Sequence, residues 1–345
     1  MNQLRIGVVG AGGIAKSIHL PALSLIPEAQ LCAVCDLVSD RAQAAAQAFG
    51  IPKAYASYHD MLADEKLDAV YVLVQPDALF RVASDCLIAG KHVFMEKPMG
   101  ITYYQAQALK EQAAQSSRLL HVGFNRRYIP LVEQVVAKMR ELTTIHHVEG
   151  RFYKNSTPVF YGGCASAFMC DVIHVIDLLC HLAKSETAPA SIVRAATLES
   201  VHPQTGVAEA WYSSMEFASG MTGCVRSHYR TGGRVHEFEL HGDGASAYIN
   251  LGFGGAACTA KILYGGGEGF SLSSSGVAQT QVLEFDGLAI AESNRYEVYY
   301  GYHAEDRIFV LAALENPTGG DPQRAAQDCA SMLAAEKLMA ARVTA

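Results

Sequence analysis

The chain has 345 residues, of which 50% are hydrophobic and 18% charged, and a formal net charge of -7. That composition belongs to a globular protein with room for two domains and excludes a disordered chain. Basic residues occur only in local pairs such as Arg126–Arg127, not in a stripe, which argues against nucleic acid as a partner.

Leu4 to Val9 reads as a short strand and residues 13–25 as a helix closed by Pro27. Gln30 to Cys35 follows as a strand, and Ser39 to Phe49 as an alanine-rich helix stopped by Gly50 and Pro52. Ala69 to Val74, His92 to Met95 and Leu119 to Val122 are further strands. They alternate with helices over Ala78 to Ala89 and Tyr103 to Gln115. Repeated strand–helix–strand units with near-continuous apolar strands predict a parallel sheet covered on both faces. The pattern changes after about residue 123. Residues 166–183 read as a long amphipathic helix. From about 190 to 290 strands succeed one another through turns at Gly232–Gly233, Gly242–Asp243–Gly244 and Gly265–Gly266–Gly267, the spacing of an antiparallel sheet. The glycine-rich stretch 252–276 reads as turns or a loop, and two helices follow, near 303–315 and 323–342.

The N-terminus enters its first strand at once, too soon for a signal-peptide core, and no apolar run reaches membrane-spanning length. The nine cysteines are scattered through apolar segments, as expected of reduced thiols in a cytoplasmic protein. Cys32 and Cys35 form a CxxC, but residues three apart on a strand point to opposite faces, so no redox or metal role follows. Neither His146–His147 nor the Cys258 region has the spacing of metal ligands, and no metal is expected.

Gly10-Ala11-Gly12-Gly13-Ile14-Ala15 follows the first strand and opens the first helix, with the spacing GxGxxA. Gly10 permits a tight turn, Gly12 lets the backbone approach a pyrophosphate, and Ala15 allows close packing. The helix N-terminus offers N–H groups to phosphates. Asp36 ends the second strand about twenty residues on, where an acid accepts hydrogen bonds from the ribose hydroxyls of NAD and repels the 2′-phosphate of NADP. The other reading of Asp36 is a helix-capping or turn residue. Arg41 could approach a 2′-phosphate, but its alanine-rich neighbours suit a helix surface. The balance favours NAD over NADP.

Lys91-His92-Val93-Phe94-Met95-Glu96-Lys97-Pro98 carries a second signal. Glu96 and Lys97 stand at the carboxyl end of a strand, where open α/β sheets bind ligands. A lysine beside an oxidised nicotinamide meets like charge and partial desolvation, the two effects that prepare an amine for acid–base work on a hydroxyl or carbonyl. Pro98 fixes the local backbone and can adopt the cis isomer.

With Gly10-x-Gly12-x-x-Ala15, Asp36, "GKHVFMEKPMG" around Lys97, "HVGFNRRY" at 121–128 and Gly242-x-x-Ala245, the chain resembles the glucose–fructose oxidoreductase / inositol dehydrogenase / MocA (Gfo/Idh/MocA) family, most of all its MviM-like branch. The resemblance covers essentially the whole chain. It implies an N-terminal Rossmann parallel sheet at 1–122 that binds NAD(P), and a C-terminal α/β domain at 123–345 with a large, mostly antiparallel open sheet for substrate and oligomer contacts. The last helix, about 323–342, could pack back on the first domain. The implied reaction is reversible oxidation of a secondary hydroxyl on a sugar, sugar derivative or cyclitol. The implied assembly is a homodimer or homotetramer through the open sheet.

Asp171, His174 and Asp177 are three apart on a predicted helix and share a side of it. The family places an acid and a histidine on this helix beside the substrate hydroxyl. His174 then relays the proton while Lys97 acts as acid–base, and Asp171 orients the pair. Many members carry the acid four residues before the histidine, where this chain has Cys170, so Asp171 corresponds to the second of two acids in the MviM-like pattern. Asp177 reads as structural, and a packed core histidine is the other reading of His174. Phe80 stands where members often have histidine. The expected cofactor contacts are Gly10, Gly12, Gly13, Ile14, Asp36, Gln75, Pro76, Glu96, Lys97 and Asn125. The expected substrate contacts are Lys97, Arg126, Tyr153, Asp171 and His174. An arginine at 126 or 127 could pair with a carboxylate or phosphate, whereas domain-linking salt bridges are the other reading of Arg127. Tyr161, His228, Tyr229, Arg230 and His303 are further candidates for lining the pocket. Two other functions fit the same fold: NAD-dependent glycoside hydrolysis by oxidation and elimination, and a non-catalytic nucleotide sensor. The presence of Lys97 and His174 argues against the sensor.

Overall fold

The computed structural model describes residues 3–160, 163, 165–253, 257–265 and 280–343. Tyr161 and much of the glycine-rich 252–276 stretch lie outside the described residues. The chain begins with strand β1 (Leu4–Val9) and a π-type turn, Ala15–His19, that runs into helix α1 (Leu20–Leu23). There follow β2 (Ala29–Cys35), α2 (Ser39–Phe49), β3 (Lys53–Tyr55), α3 (Tyr58–Asp64), β4 (Ala69–Val72) and α4 (Pro76–Ile88). β5 (His92–Met95), α5 (Tyr103–Ser116) and β6 (Leu120–Val122) complete the first sheet. Its strands are all parallel, in the order β3-β2-β1-β4-β5-β6. The order reverses between β1 and β4, which opens a crevice at their carboxyl ends.

Sequence explains this order. Every residue of β4 and β5 is buried, so these apolar strands take the middle of the sheet. Helix ends are marked by Ser57 and Thr102, whose side chains accept the N–H of Asp60 and Gln105, and by left-handed Gly50 after α2. β3 and α3 escape sequence reading because β3 has three mostly exposed residues and no apolar run.

A short 3-10 turn, Asn125–Tyr128, leads into α6 (Pro130–Leu142) and then β7 (Ile145–Asn155). β8 (Val159–Phe160) and β9 (Ala165–Ser166) pair as a ribbon, and a π-type turn, Phe168–Val172, runs into α7 (Ile173–Ala183). The strands β10 (Ile192–Val201), β11 (Ala208–Phe217), β12 (Thr222–His228) and β13 (Arg230–Gly242) follow, then β14 (Ala245–Leu251), β15 (Cys258–Tyr264) and β16 (Gln281–Asp286). The chain closes with α8 (Gly287–Ala291), α9 (Tyr296–Tyr299), α10 (Tyr302–Glu315) and α11 (Pro322–Ala340). The second sheet has the order β10-β11-β12-β7-β13-β14-β15-β16 and is antiparallel except for the parallel β12–β7 pair.

One face of this sheet is covered by α6 and α7, and among the described residues the other is open. Val148, Gly150 and Phe152 of β7 point toward the helices, while His147, Glu149, Arg151 and Tyr153 alternate outward. Gly150 is required here, because a Cβ would overlap Cγ1 of Val175 and hold α7 away from the sheet.

The last two helices return to the first sheet. Phe309, Val310 and Ala313 of α10 share a core with Ile6, Val8, Tyr71 and Phe94. α11 packs on α5 and β6 as well as on α7 and β10. Residues 302–340 therefore clamp the two sheets together. Among the described residues no helix is long and apolar enough to cross a membrane.

Candidate active site

The crevice begins at the loop after β1. Gly10 has φ of 100°, and a side chain there would overlap the carbonyl oxygen of Leu73, so only glycine fits. Nothing lies within 4 Å of where a Cβ would stand at Gly12 or Gly13, so the loop is open on its outer side. Asp36, at the end of β2, steadies the loop from the second strand. Its Oδ2 accepts the Ala11 N–H and its Oδ1 the Val38 N–H, each at 2.9 Å. Each carboxylate oxygen retains acceptor capacity toward a ribose hydroxyl. An open glycine loop, a helix start and a half-buried acceptor are the groups a dinucleotide requires, so these residues fit one.

A cleft of about 210 Å³ lies beside the loop, lined by Ile14, Val74, Pro76, Glu96 and Lys97 from the first sheet and by Arg126, Asp171, His174, Arg234, Tyr296, Tyr300 and Tyr302. β5 carries Lys97 to its rim, and the Lys97–Pro98 peptide bond is cis. The Lys97 ammonium donates to the carbonyl of Cys170 at 2.6 Å, in the turn that precedes α7. Asp171, the next residue, accepts from Lys154 Nζ at 2.8 Å and from the Tyr229 hydroxyl at 3.1 Å. Burial opposes its charge, but Lys97 and Lys154 outweigh burial and hold the carboxyl below its usual range. Burial, then the charges of Arg126 and Lys97, push the His174 imidazole well below its ordinary pKa. His174 is thus a neutral ring, buried, with no partner for Nδ1 among the described residues. A fixed lysine, a charged carboxylate and a neutral imidazole in one half-enclosed cleft can orient a hydroxyl and take its proton.

Other expected contacts fall elsewhere. Tyr153 points to the open face of the second sheet, because strand alternation sends it outward with Arg151 and sends Lys154 inward to Asp171. Asn125 is fully buried outside the cleft, where its Nδ2 donates to Tyr300 O at 2.8 Å. Gln75 is the exposed N-cap of α4. Glu96 lines the cleft, but its carboxylate faces inward: Oε2 accepts the Lys97 N–H and Oε1 lies 3.3 Å from His19 Nε2. Asp177 faces away, paired with Arg127 and Ser331, and Arg127 also donates to Asp328 at 2.7 Å. Arg127 thus ties the 125–128 turn to α7 and α11. Tyr229 meets Asp171, Arg230 pairs with the Glu209 carboxylate, and His228 and His303 stand outside the cleft lining.

Sequence reading missed Lys154, Arg234 and the tyrosines 296, 300 and 302. The run "YEVYYGY" at 296–302 was the available cue: it interrupts a helix at Gly301, whose φ is 87°. It also missed His19, which lies between Glu96 and Asp306 of α10.

A wider trough of about 710 Å³ crosses the open face of the second sheet between Arg151, Glu237, Tyr248 and Lys261. It contains none of the glycine loop, and the smaller cleft is the one where nucleotide loop, lysine and histidine meet. On the same open face the β12–β7 register brings His147, Glu149 and Cys224 together, with ligand-type atoms within 4.8 Å of one another. No spacing along the sequence foretold that cluster. Glu149 there also pairs with Arg226 at 2.9 Å.

Residues 4–124 match the family model described as "Oxidoreductase family, NAD-binding Rossmann fold". The chain is similar to the inositol 2-dehydrogenase of Salmonella paratyphi B, with 34% identity over 181 residues, 51% of this chain and 53% of that protein. The match thus spans about half the length of that relative. Among solved structures, a dehydrogenase from Chromobacterium violaceum superposes with a TM-score of 0.83 at 19% identity, covering 99% of this chain and 96% of that one. A 3-ketoreductase from Actinomadura kijaniata, solved with NADP and TDP-benzene, gives 0.78 at 19% identity, covering 99% and 98%. At these identities the structural likeness establishes the two-sheet fold.

Proposed function

We propose, from the premise that residues 4–124 belong to the Gfo/Idh/MocA oxidoreductase family, that the chain is an NAD(P)-dependent dehydrogenase acting on a secondary hydroxyl of a sugar, sugar derivative or cyclitol. The observation that carries this reading is the convergence of Lys97, Asp171 and His174 on one cleft beside the open glycine loop. The similarity to an inositol 2-dehydrogenase and to a 3-ketoreductase supports the substrate class. Membership of the MviM-like branch, a cytoplasmic location and assembly as a homodimer or homotetramer through the open sheet face belong to the same proposal.

The bound nicotinamide supplies the hydride acceptor or donor. The chain's residues do the rest. Lys97 holds the substrate hydroxyl and, having passed a proton of its own to His174, takes the hydroxyl's proton during oxidation. Its contact with Cys170 O sets the ammonium against the helix that carries Asp171 and His174. Asp171 stays charged and offsets the lysine, while Lys154 and Tyr229 hold its carboxylate in place. His174, held neutral by burial and by the charges of Arg126 and Lys97, accepts the proton that Lys97 gives up. Asp36 accepts from the ribose and disfavours a 2′-phosphate, which supports NAD over NADP.

The test is a spectrophotometric assay of purified protein with NAD or NADP and a panel of sugars, sugar acids, sugar phosphates and inositols. Reduction of NAD by one member of the panel is expected. Failure of every member to reduce either cofactor, with both cofactors bound, would contradict the reading.

A further inference from the structure

Two consecutive arginines in the 125–128 turn are equally buried and differently matched. Arg127 is 5% exposed and meets two carboxylates, Asp177 and Asp328. Arg126 is 3% exposed and lines the cleft, and among the described residues no carboxylate lies within ion-pair distance of it. Its Nη2 contacts His236 Nδ1 at 3.1 Å, and its Cζ lies 5.9 Å from the Phe152 ring centroid. Its Nε and Nη1 are buried, with no hydrogen-bond partner among the described residues. A buried guanidinium with two unsatisfied nitrogens is a costly arrangement unless something else completes it.

The charges around it are one-sided. The acids of the cleft are already engaged: Glu96 with His19 and the Lys97 N–H, Asp171 with Lys154 and Tyr229. Arg234, an exposed residue of the same lining, stacks on Phe253 at 4.1 Å, has its Nε 3.4 Å from His236 Nε2, and also has no carboxylate partner among the described residues. His236, between the two arginines, is held neutral by burial and by their charges, and its Nδ1 also contacts the Tyr300 hydroxyl at 3.0 Å. Among the described residues, therefore, two cations of one lining have no carboxylate partner.

We propose that the cleft takes a substrate bearing an anionic group, a carboxylate or a phosphate, and that Arg126 receives that group, with Arg234 in the same lining. The proposal rests on the dehydrogenase reading for the position of the reacting hydroxyl and deepens it by naming the substrate class: an acidic sugar or cyclitol. A guanidinium offers planar, permanently charged donors suited to either oxyanion. The anion has a second consequence. His174 is depressed by the positive charges of Arg126 and Lys97, so an anion set on Arg126 makes the imidazole a better proton acceptor when substrate is bound. The substrate thereby strengthens the ring that relays its proton from Lys97.

Matched pairs test this. Binding to NAD-loaded protein is measured by calorimetry for glucuronate against glucose, for glucose 6-phosphate against glucose, and for galacturonate against galactose. Oxidation of each is measured alongside. The wild type is expected to bind at least one anionic member about tenfold or more tightly than its neutral parent. In Arg126→Met the ratio should fall toward one, and in Arg126→Lys it should be intermediate, because the charge survives without the planar donors. Thermal unfolding of each variant reports folding. A preference for uronates alone identifies a carboxylate site, and a preference for the phosphate alone a phosphate site. Anionic binding that depends on Arg126, without oxidation of any member, keeps the anion site and removes the dehydrogenase reading. Equal kcat/KM on charged and neutral members keeps the dehydrogenase and overturns the anion site. No binding of any anionic member, or a preference that survives in a folded Arg126→Met variant, also overturns it.

Discussion

The ammonium of Lys97, at the end of β5, donates to the carbonyl of Cys170 across 2.6 Å, joining the first sheet to the turn that begins α7. The contact fixes the lysine relative to the next residue, Asp171, and to His174 one turn further on. Acid–base catalysis depends on such placement, because a proton is transferred only over hydrogen-bond distance. The opening between the two sheets is therefore set by packing, and the packing can be traced to single residues.

Gly150 is one of them. It lets Val175 of α7 settle on β7, so Gly150→Ala must push the helix outward. The expected loss of stability is about 1–3 kcal/mol, as for an overpacked core. Turnover is expected to fall more than cofactor affinity, because the displaced helix carries His174 and follows directly on the turn with Asp171, and does not carry the glycine loop. Denaturant unfolding and steady-state kinetics on the same preparation check both parts.

Arg127 joins the 125–128 turn, α7 and α11 through two buried carboxylates. Removing it leaves Asp177 and Asp328 buried without a counter-charge. Arg127→Met is expected to destabilise the fold by about 3–5 kcal/mol. Arg127→Lys should recover only part of that, since one ammonium cannot serve both acids with the geometry of a planar guanidinium. Urea unfolding of the two variants measures the difference.

His19 makes stability depend on pH. Burial alone would strip its charge, but Asp306 and Glu96 outweigh burial and raise its pKa from 6.5 to about 10. The protonated ring donates to both carboxylates. A group whose folded pKa is raised contributes stability that is complete below its unfolded pKa and is lost as pH rises through the folded value. Unfolding free energy should therefore decline between about pH 6.5 and about pH 10, and His19→Gln should flatten that part of the curve. Denaturant titrations at a series of pH values give both slopes. An unchanged slope in the variant would contradict the assignment.

Asp36 is expected to set the cofactor. Its oxygens accept Ala11 N–H and Val38 N–H and retain acceptor capacity for a ribose hydroxyl. Asp36→Ser should weaken NAD about tenfold or more, as a charged hydrogen-bond acceptor is lost, and narrow the gap to NADP. Calorimetric titration with each cofactor measures the ratio. A ratio that does not move would mean that Asp36 acts only on the loop.

Much of this was legible in the sequence where physical signals are local. Ser39–Phe49 and His92–Met95 are bounded by glycine, proline and apolar runs, and sequence and structure agree on them to the residue. Lys97 and His174 stand out because a strand end and a helix face are both local patterns. The phase of β7 was harder. Phe152-Tyr153-Lys154 places two aromatics side by side, and the parity is decided by Gly150, which needs α7 above it to have meaning. The partners of buried charges were not legible at all. His19 and Asp306 are 287 residues apart, and the pairing of Arg127 with Asp177 but not Arg126 depends on which side of a four-residue turn each arginine faces. The return of α10 and α11 onto the first sheet likewise depends on tertiary contacts such as Phe309 against Tyr71 and Phe94.

The central claim is that Lys97 moves the substrate proton while the nicotinamide carries the hydride. The most direct measurement is a single turnover: protein loaded with NAD is mixed with the polyol panel, and nicotinamide absorbance is followed for the wild type and for Lys97→Met. The account predicts that one class of polyol reduces the cofactor on the wild type. It also predicts a rate lower by about 10²–10⁴-fold in Lys97→Met, with NAD affinity retained. Reduction at equal rates in both proteins, or none in a wild type that binds NAD, would contradict it.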